Sequence, residues 1–335
     1  MFQSEIILFF QKWASPVLTY LMQGFTAVGY PALLIVILAI ILFGIDFKKG
    51  FALLQIILWT AALTAFFKNL FALPRPYMVD NRVQLLDGHI LELEVPFRAK
   101  GAASFWGALP KEVIDYYRPQ SIPYGFPSGH TSMATTMWAS LYLLFKRPWV
   151  KYLSLTMILM VPFSRIFLGI HFLADVIGGY FLGFLVLAIA YVTVLRPRAL
   201  SGYLARIQYA FFTTHLLFFL FLVFSPFLLL VLLPPEQYEL AATILGINLG
   251  FLALSQGGLP NSQAPFHKRV LRVLLAFAIF ILSEWLLSWL FSFGKAAEFW
   301  GGKSSMALLQ NFLFVWGSVK LGQVLGLFEK NTACN

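Results

Sequence analysis

Charge is scarce in this chain: 11% of its 335 residues are Asp, Glu, Lys or Arg, while 60% are hydrophobic. That balance excludes an ordinary soluble domain and leaves a polytopic membrane protein. Acidic residues are the scarcer sign, 14 against 24 basic ones, for a net charge of +10. In a soluble protein such an excess would suggest nucleic acid or another acidic partner. Here most of it sits in short loops between apolar runs, so it reports topology, and no nucleic-acid partner is expected. Cysteine is nearly missing. Cys334, in the tail, stands alone, which excludes an intrachain disulfide and any Cys-rich metal site. The N-terminus lacks a basic stretch followed by a small-residue cleavage site, so no removable signal is expected and targeting falls to the first span. There is no convincing internal repeat, and no linker marks off a separate soluble domain.

What is there is a series of apolar runs. Residues 2–13 place Phe2, Ile6, Phe9, Phe10 and Trp13 on one helical face, which predicts an interfacial helix, because Glu5, Gln11 and Lys12 leave too little apolar length to cross. A first span ends near Gly44, before Asp46, Lys48 and Lys49, and a second runs from Phe51 to Leu73, before Pro74-Arg75-Pro76. Residues 77–124 hold five Lys/Arg and six Asp/Glu. They predict an external cap loop, with Asp87-Gly88 as a turn signal for a small hairpin. Runs over 128–145, 151–170 and 172–194 follow, then four more near 208–233, 238–256, 271–293 and 305–327. The expectation is an all-α bundle of about nine spans, with basic clusters on the inner side and the N-terminus outside. Its parts are an interfacial segment (1–27), a catalytic core (28–200, containing the cap) and four additional spans with an inner tail (201–335).

Within those runs, ionisable residues at span ends are read as functional by default. The stretch from Ser164 to Asp175 carries Arg165, His171 and Asp175. His171 and Asp175 are four apart, so a helix would put both on one face, with the carboxylate holding the imidazole N–H as a nucleophile and its orienter. Lys68 and Arg75, seven apart, can point to one side over two helical turns. Pro127-Ser128-Gly129-His130 reads as a helix start, where Ser128 can cap and the amides of Gly129 and His130 can grip an anion. On the predicted topology the three stretches meet at one external face. Three cations, a helix N-terminus and two histidines around one point suit a tetrahedral oxyanion. A divalent metal held by His130, His171 and Asp175 is the competing reading, disfavoured by the repulsion of three neighbouring cations.

These stretches, Lys68-x6-Arg75-Pro76, Pro127-Ser128-Gly129-His130 and Ser164-Arg165-x5-His171-x3-Asp175, resemble the signature of the type 2 phosphatidic acid phosphatase superfamily, which also holds vanadium haloperoxidases and glucose-6-phosphatases. The resemblance implies that His171 attacks phosphorus, that Asp175 orients it, and that His130 protonates the leaving alcohol and then activates water. Lys68, Arg75, Ser128, Gly129 and Arg165 would hold the phosphate. It implies no metal and no cofactor. The expected partners are a lipid phosphate substrate and membrane lipids, and the oligomeric state stays open. Alternatives are a lipid phosphotransferase, a sugar-phosphate phosphatase like glucose-6-phosphatase, which the nine-span plan resembles, or a lipid transporter or receptor. In the added spans His215, Asn248, Glu284 and Lys320 are polar, and similar depth predicts a structural ion pair between Glu284 and Lys320.

Overall fold

A computed structural model describes residues 1–88, 96–120, 123–206, 216–292 and 302–329. Among the described residues all regular structure is helical. In chain order the α-helices are α1 (Ser4–Gln11), α2 (Pro16–Ala27), α3 (Pro31–Ala39), α4 (Phe47–Phe71), α5 (Pro76–Val79), α6 (Lys111–Tyr117), α7 (Gly129–Phe145), α8 (Pro148–Phe167), α9 (Leu173–Ala190), α10 (Pro197–Arg206), α11 (Leu216–Leu232), α12 (Tyr238–Ser255), α13 (Phe266–Ser292), α14 (Gly302–Phe312) and α15 (Ser318–Val324).

Among the described residues, five stretches are long and apolar enough to cross a membrane: Phe47–Val79, Pro148–Phe167, Leu173–Leu195, Pro235–Ser255 and Phe266–Ser292. The pair Pro16–Ala27 and Pro31–Ile45 is broken at residues 28–30 and makes a sixth when counted as one span, while Leu216–Leu232 is apolar but shorter. These helices are compatible with a multi-pass integral membrane protein. The expected third span is a 17-residue helix, α7. It is rich in hydroxyls, with Thr131, Ser132, Thr135, Thr136 and Ser140 all fully buried, and so does not read as a lipid-facing span. The expected hairpin after Asp87 runs into residues 89–95, and His215 likewise lies outside the described residues. The rest of the cap contributes α5 and α6, two short helices that alternation alone did not suggest.

The chain divides into two compact units. The first comprises residues 1–34 and 59–195 and contains every candidate site residue. In it α7 and α9 pack at backbone range, because Gly179 and Gly183 sit one turn apart on α9. A Cβ on Gly179 would come within 2.7 Å of Thr131 Cβ, and one on Gly183 within 2.8 Å of Thr135 Cβ. Small residues at that spacing are how helices approach closely without a solvent-driven force between them. Most of the α7 hydroxyls have partners: Thr135 and Thr136 donate to the carbonyls of Thr131 and Ser132 at 2.8 and 2.9 Å. Thr64 of α4 shares a 2.9 Å hydrogen bond with Ser132.

The cap folds back on α1. Ile7, Tyr77, Met78, Val79, Val83, Leu109, Val113 and Tyr117 bury one cluster with Ile166, Phe172 and Val176, each side chain contributing about 1.5–3 kcal/mol when fully buried. Polar staples close it. Arg82 pairs with Asp80 at 2.6 Å and Glu5 at 3.2 Å, Lys100 pairs with Glu112 at 2.8 Å, and the Tyr117 hydroxyl donates to Met78 O at 2.8 Å. The predicted N-terminal helix is therefore present, with Ile7 buried and Phe9 and Trp13 exposed.

In the second unit, residues 35–58 and 196–335, Phe51 stacks on Phe251 at 3.9 Å. Buried Asn248 accepts from Gln55 and donates to Leu222 O, each at 2.7 Å. Arg272, also buried, donates to Leu327 O at 2.8 Å and Ser262 O at 3.1 Å and lies over the Phe328 ring. The expected Glu284–Lys320 ion pair is not formed. Glu284 lies on the exposed face of α13 and Lys320 sits beside Gly257. Matching depth along two helices does not fix which way each residue faces.

Candidate active site

The segment 168–172, between α8 and α9, carries His171, and its shape follows from Gly169. With φ at +79°, Gly169 ends α8 in a left-handed turn that an L side chain resists. Ile170 N–H closes on Arg165 O at 3.0 Å, Gly169 N–H on Ile166 O at 3.0 Å, and His171 N–H on Arg165 O at 3.2 Å. The first two bonds are the pair that defines a Schellman cap. One turn thus fixes the backbone of the histidine to that of Arg165.

Asp175 sits in the first turn of α9 and is fully buried. Its Oδ2 accepts from Phe172 N–H at 2.9 Å and lies 3.2 Å from His171 Nδ1. A carboxylate there holds the Nδ1–H tautomer, leaving Nε2 as the atom with a free lone pair. Burial, followed by Arg75, Lys68 and Arg165, holds the His171 imidazole well below its usual pKa, so the ring is neutral near pH 7.

The second histidine arrives on α7. Ser128 occupies the N-cap position but does not cap with its side chain. Its hydroxyl accepts from Thr131 at 3.0 Å and its N–H donates to Asp175 O at 2.9 Å. The second bond ties the start of α7 to the start of α9, so Ser128 joins the two motifs rather than presenting its own amide. His130 Nε2, Arg165 Nε and Asp175 Oδ1 are buried without a hydrogen-bond partner. Buried polar atoms in that state are uncommon and mark a place built for something further.

Lys68 and Arg75 also reach the site, though not along one helix. α4 stops at Phe71, Ala72 adopts φ +49°, and Arg75 is the residue before α5. Pro74 and Pro76 prevent the helix from continuing. The turn returns Arg75 to the Lys68 end of α4, where Lys68 donates to the carbonyls of Tyr124 and Gly125 and Arg75 Nε donates to Pro123 O at 2.7 Å. Lys68, Arg75 and Arg165 all act electrostatically on both histidines. A Cβ on Gly129 would lie 3.9 Å from Lys68 Cε, and one on Gly125 would lie 3.0 Å from Asp175 Oδ2.

The structure therefore brings all eight sequence-designated residues to one region of the first unit. It adds residues the motifs did not point to: the carbonyls of 123–125, and Thr26 and Tyr30 at the α2–α3 break. Arg165 Nη1 donates to Thr26 Oγ1 at 2.5 Å, and the Tyr30 ring meets the His130 ring edge-on at 4.9 Å. The available signal was Gly29-Tyr30-Pro31, a breaker inside an apolar run.

A buried His–Asp pair, a second histidine and three cations are thus gathered where membrane-type helices begin and end, a set of groups whose chemistry suits an oxyanion. Residues 49–199, a little under half of the chain, match the family model of the PAP2 superfamily, a superfamily of phosphatase type. The match leaves residues 1–48 and 200–335 outside it. No curated protein and no solved structure matches the chain.

Proposed function

We propose that the protein is an integral membrane phosphatase that hydrolyses a lipid phosphate monoester or pyrophosphate through a phosphohistidine, without a divalent metal. The observation that carries this is the buried His171–Asp175 contact, 3.2 Å between Nδ1 and Oδ2, set among Lys68, Arg75 and Arg165. His171 Nε2 attacks phosphorus and the P–O bond to the leaving alcohol breaks, with His130 supplying the proton. The three cations and the Gly129 and His130 amides hold the equatorial oxygens, whose charge grows during transfer. His130, now a base, takes a proton from water. The hydroxide attacks the phosphohistidine, releasing phosphate and restoring His171. The apolar helices that carry the site favour a lipid tail lying between spans. The Lys/Arg bias of the loops favours a nine-span plan with the site on the extracytoplasmic or lumenal face.

The test separates the two histidines. His171→Ala should form no phosphoenzyme with any substrate. His130→Ala should hardly react with a lipid phosphate, but an aryl phosphate, whose phenolate leaves without help, should trap an acid-labile, base-stable phosphoenzyme. Wild-type activity should survive chelators, be inhibited by vanadate, and release phosphate with no acceptor alcohol present. Label in His171→Ala and none in His130→Ala would reverse the roles. Activity lost in EDTA and restored by a divalent ion would overturn the metal-free mechanism.

A further inference from the structure

We propose that Thr26 and Tyr30, at the break between α2 and α3, are positioning residues of the phosphate site, Thr26 aiming the Arg165 guanidinium and Tyr30 bracing both it and the His130 ring. This rests on the phosphatase reading above and extends it to residues outside the stretch that matches the family.

The break has a local cause. Pro31 has no N–H to continue α2 and disfavours helical backbone at Tyr30. The chain turns through Gly29 N–H to Thr26 O at 2.9 Å and Tyr30 N–H to Ala27 O at 3.1 Å. That turn brings three residues against the site. Thr26 is 2% exposed, and its Oγ1 accepts from Arg165 Nη1 at 2.5 Å. Tyr30 interacts with Arg165 through its side chain, with the guanidinium carbon 6.0 Å from the ring centroid, and stands perpendicular to the His130 ring. Gly29 lets the chain pass that ring: a Cβ there would collide with His130 Cδ2 and lie 3.0 Å from Cγ.

The chemistry of the acceptor matters. Arg165 is 3% exposed and needs acceptors to be held in one orientation. A carboxylate in the place of Thr26 would neutralise the guanidinium and compete with phosphate. A hydroxyl fixes its direction and leaves its charge for the ligand. The Tyr30 ring likewise meets both Arg165 and His130 without adding charge that would bias proton transfer. The arrangement predicts an effect on binding more than on turnover, since the Thr26 hydroxyl bonds Arg165, the residue assigned to hold phosphate.

The experiment compares full-length Thr26→Val, Thr26→Ser and Tyr30→Phe with wild type and His171→Ala in detergent, measuring aryl phosphate hydrolysis and the inhibition constant for vanadate. Losing a hydrogen bond to a charged group corresponds to roughly 10- to 100-fold in affinity. Thr26→Val should raise KM and the vanadate constant by about that factor, with kcat within about threefold. Thr26→Ser should restore both, a rescue that a merely structural methyl would not give. Tyr30→Phe keeps the ring on His130 and loses the hydroxyl, so it should raise KM with kcat retained, and it decides the matter if Thr26→Val does not fold. Wild-type KM and vanadate affinity in the folded variants, beside an inactive His171→Ala, overturns the positioning role alone. Activity in His171→Ala equal to wild type overturns the phosphatase reading and this inference with it.

Discussion

Replacing Asp175 by Asn isolates what the carboxylate does for His171. The substitution keeps the shape, and an amide oxygen still accepts from Phe172 N–H, where Asp175 Oδ2 now sits at 2.9 Å, so the first turn of α9 is retained. The Ser128 N–H to Asp175 O bond is backbone to backbone and is untouched. The 3.2 Å contact to His171 Nδ1 changes character. It loses its charge, worth roughly 1.5–3 kcal/mol for a hydrogen bond to an ionised group, or about 10- to 150-fold. In the opposite amide orientation the NH2 would face Nδ1 and favour the tautomer protonated at Nε2, which has no lone pair for phosphorus, but that orientation gives up the Phe172 N–H bond, since one oxygen serves both contacts. A comparable Asp→Asn exchange in a Ser-His-Asp triad lowers kcat by about 10⁴. The expected fall in kcat is therefore on the order of 10² to 10⁴. Vanadate affinity should hold or improve, because one negative charge leaves a site built for an anion. The assay is aryl phosphate turnover with vanadate competition on detergent-purified protein. A kcat within about threefold of wild type, or a raised KM with kcat intact, would refute an orienting role for Asp175.

Three further outcomes follow from the same geometry. Because the His171 pKa is held below its usual value by burial and the neighbouring cations, the neutral nucleophile persists as pH falls through about 6.5; the His171 imidazole followed by NMR should titrate below that, and titration above it would contradict the assignment. Gly169→Ala should lose activity and roughly 1–2 kcal/mol or more of stability by thermal unfolding, since φ is +79° and a Cβ would lie 3.0 Å from Gln11 Nε2 and Val83 Cγ1. Cysteines at Gly88 and Arg198, in a chain with Cys334 replaced, should differ toward an impermeant reagent in intact cells, with 88 labelled; labelling of 198 alone would invert the proposed topology.

The site was legible because its residues are costly where they stand. Arg165, His171 and Asp175 between apolar runs are few enough to be noticed one by one, and the Pro-Ser-Gly start of α7 is a local signal. Long-range geometry was less accessible. Spacing suggested that Lys68 and Arg75 share a helix face, whereas a turn at Ala72 unites them. Composition gave Glu284 and Lys320 a common depth but not a facing direction. α7 reads as a span by its ends, yet Ser132, Thr135 and Thr136 on its hydroxyl-rich side bond to Thr64 and to helix carbonyls, partners that lie dozens of residues away or in the helix's own backbone. Thr26 carried no signal at all, because a threonine in an apolar run is ordinary until the fold puts a buried guanidinium beside it.

On the proposed function, the distribution of acidic groups is what leaves the site's cations to an anion. In the cap, each cation of the staple has a carboxylate: Arg82 has Asp80 and Glu5, and Lys100 has Glu112. At the site, Lys68 and Arg75 turn to backbone carbonyls of residues 123–125, and Arg165 turns to a hydroxyl. Asp175 is engaged through Oδ2 with Phe172 N–H and His171, and Asp87 acts on Arg165 electrostatically. Neutral acceptors hold a cation in place for about 0.5–3 kcal/mol per bond, which is small beside the charge-assisted, multidentate contacts a phosphate offers. The carbonyl contacts therefore keep the cations ordered and close together without neutralising them, and a phosphate oxygen can displace them. Placing a carboxylate at 123–125 or at Thr26 would satisfy the same side chains more strongly and remove the reason for the anion to bind.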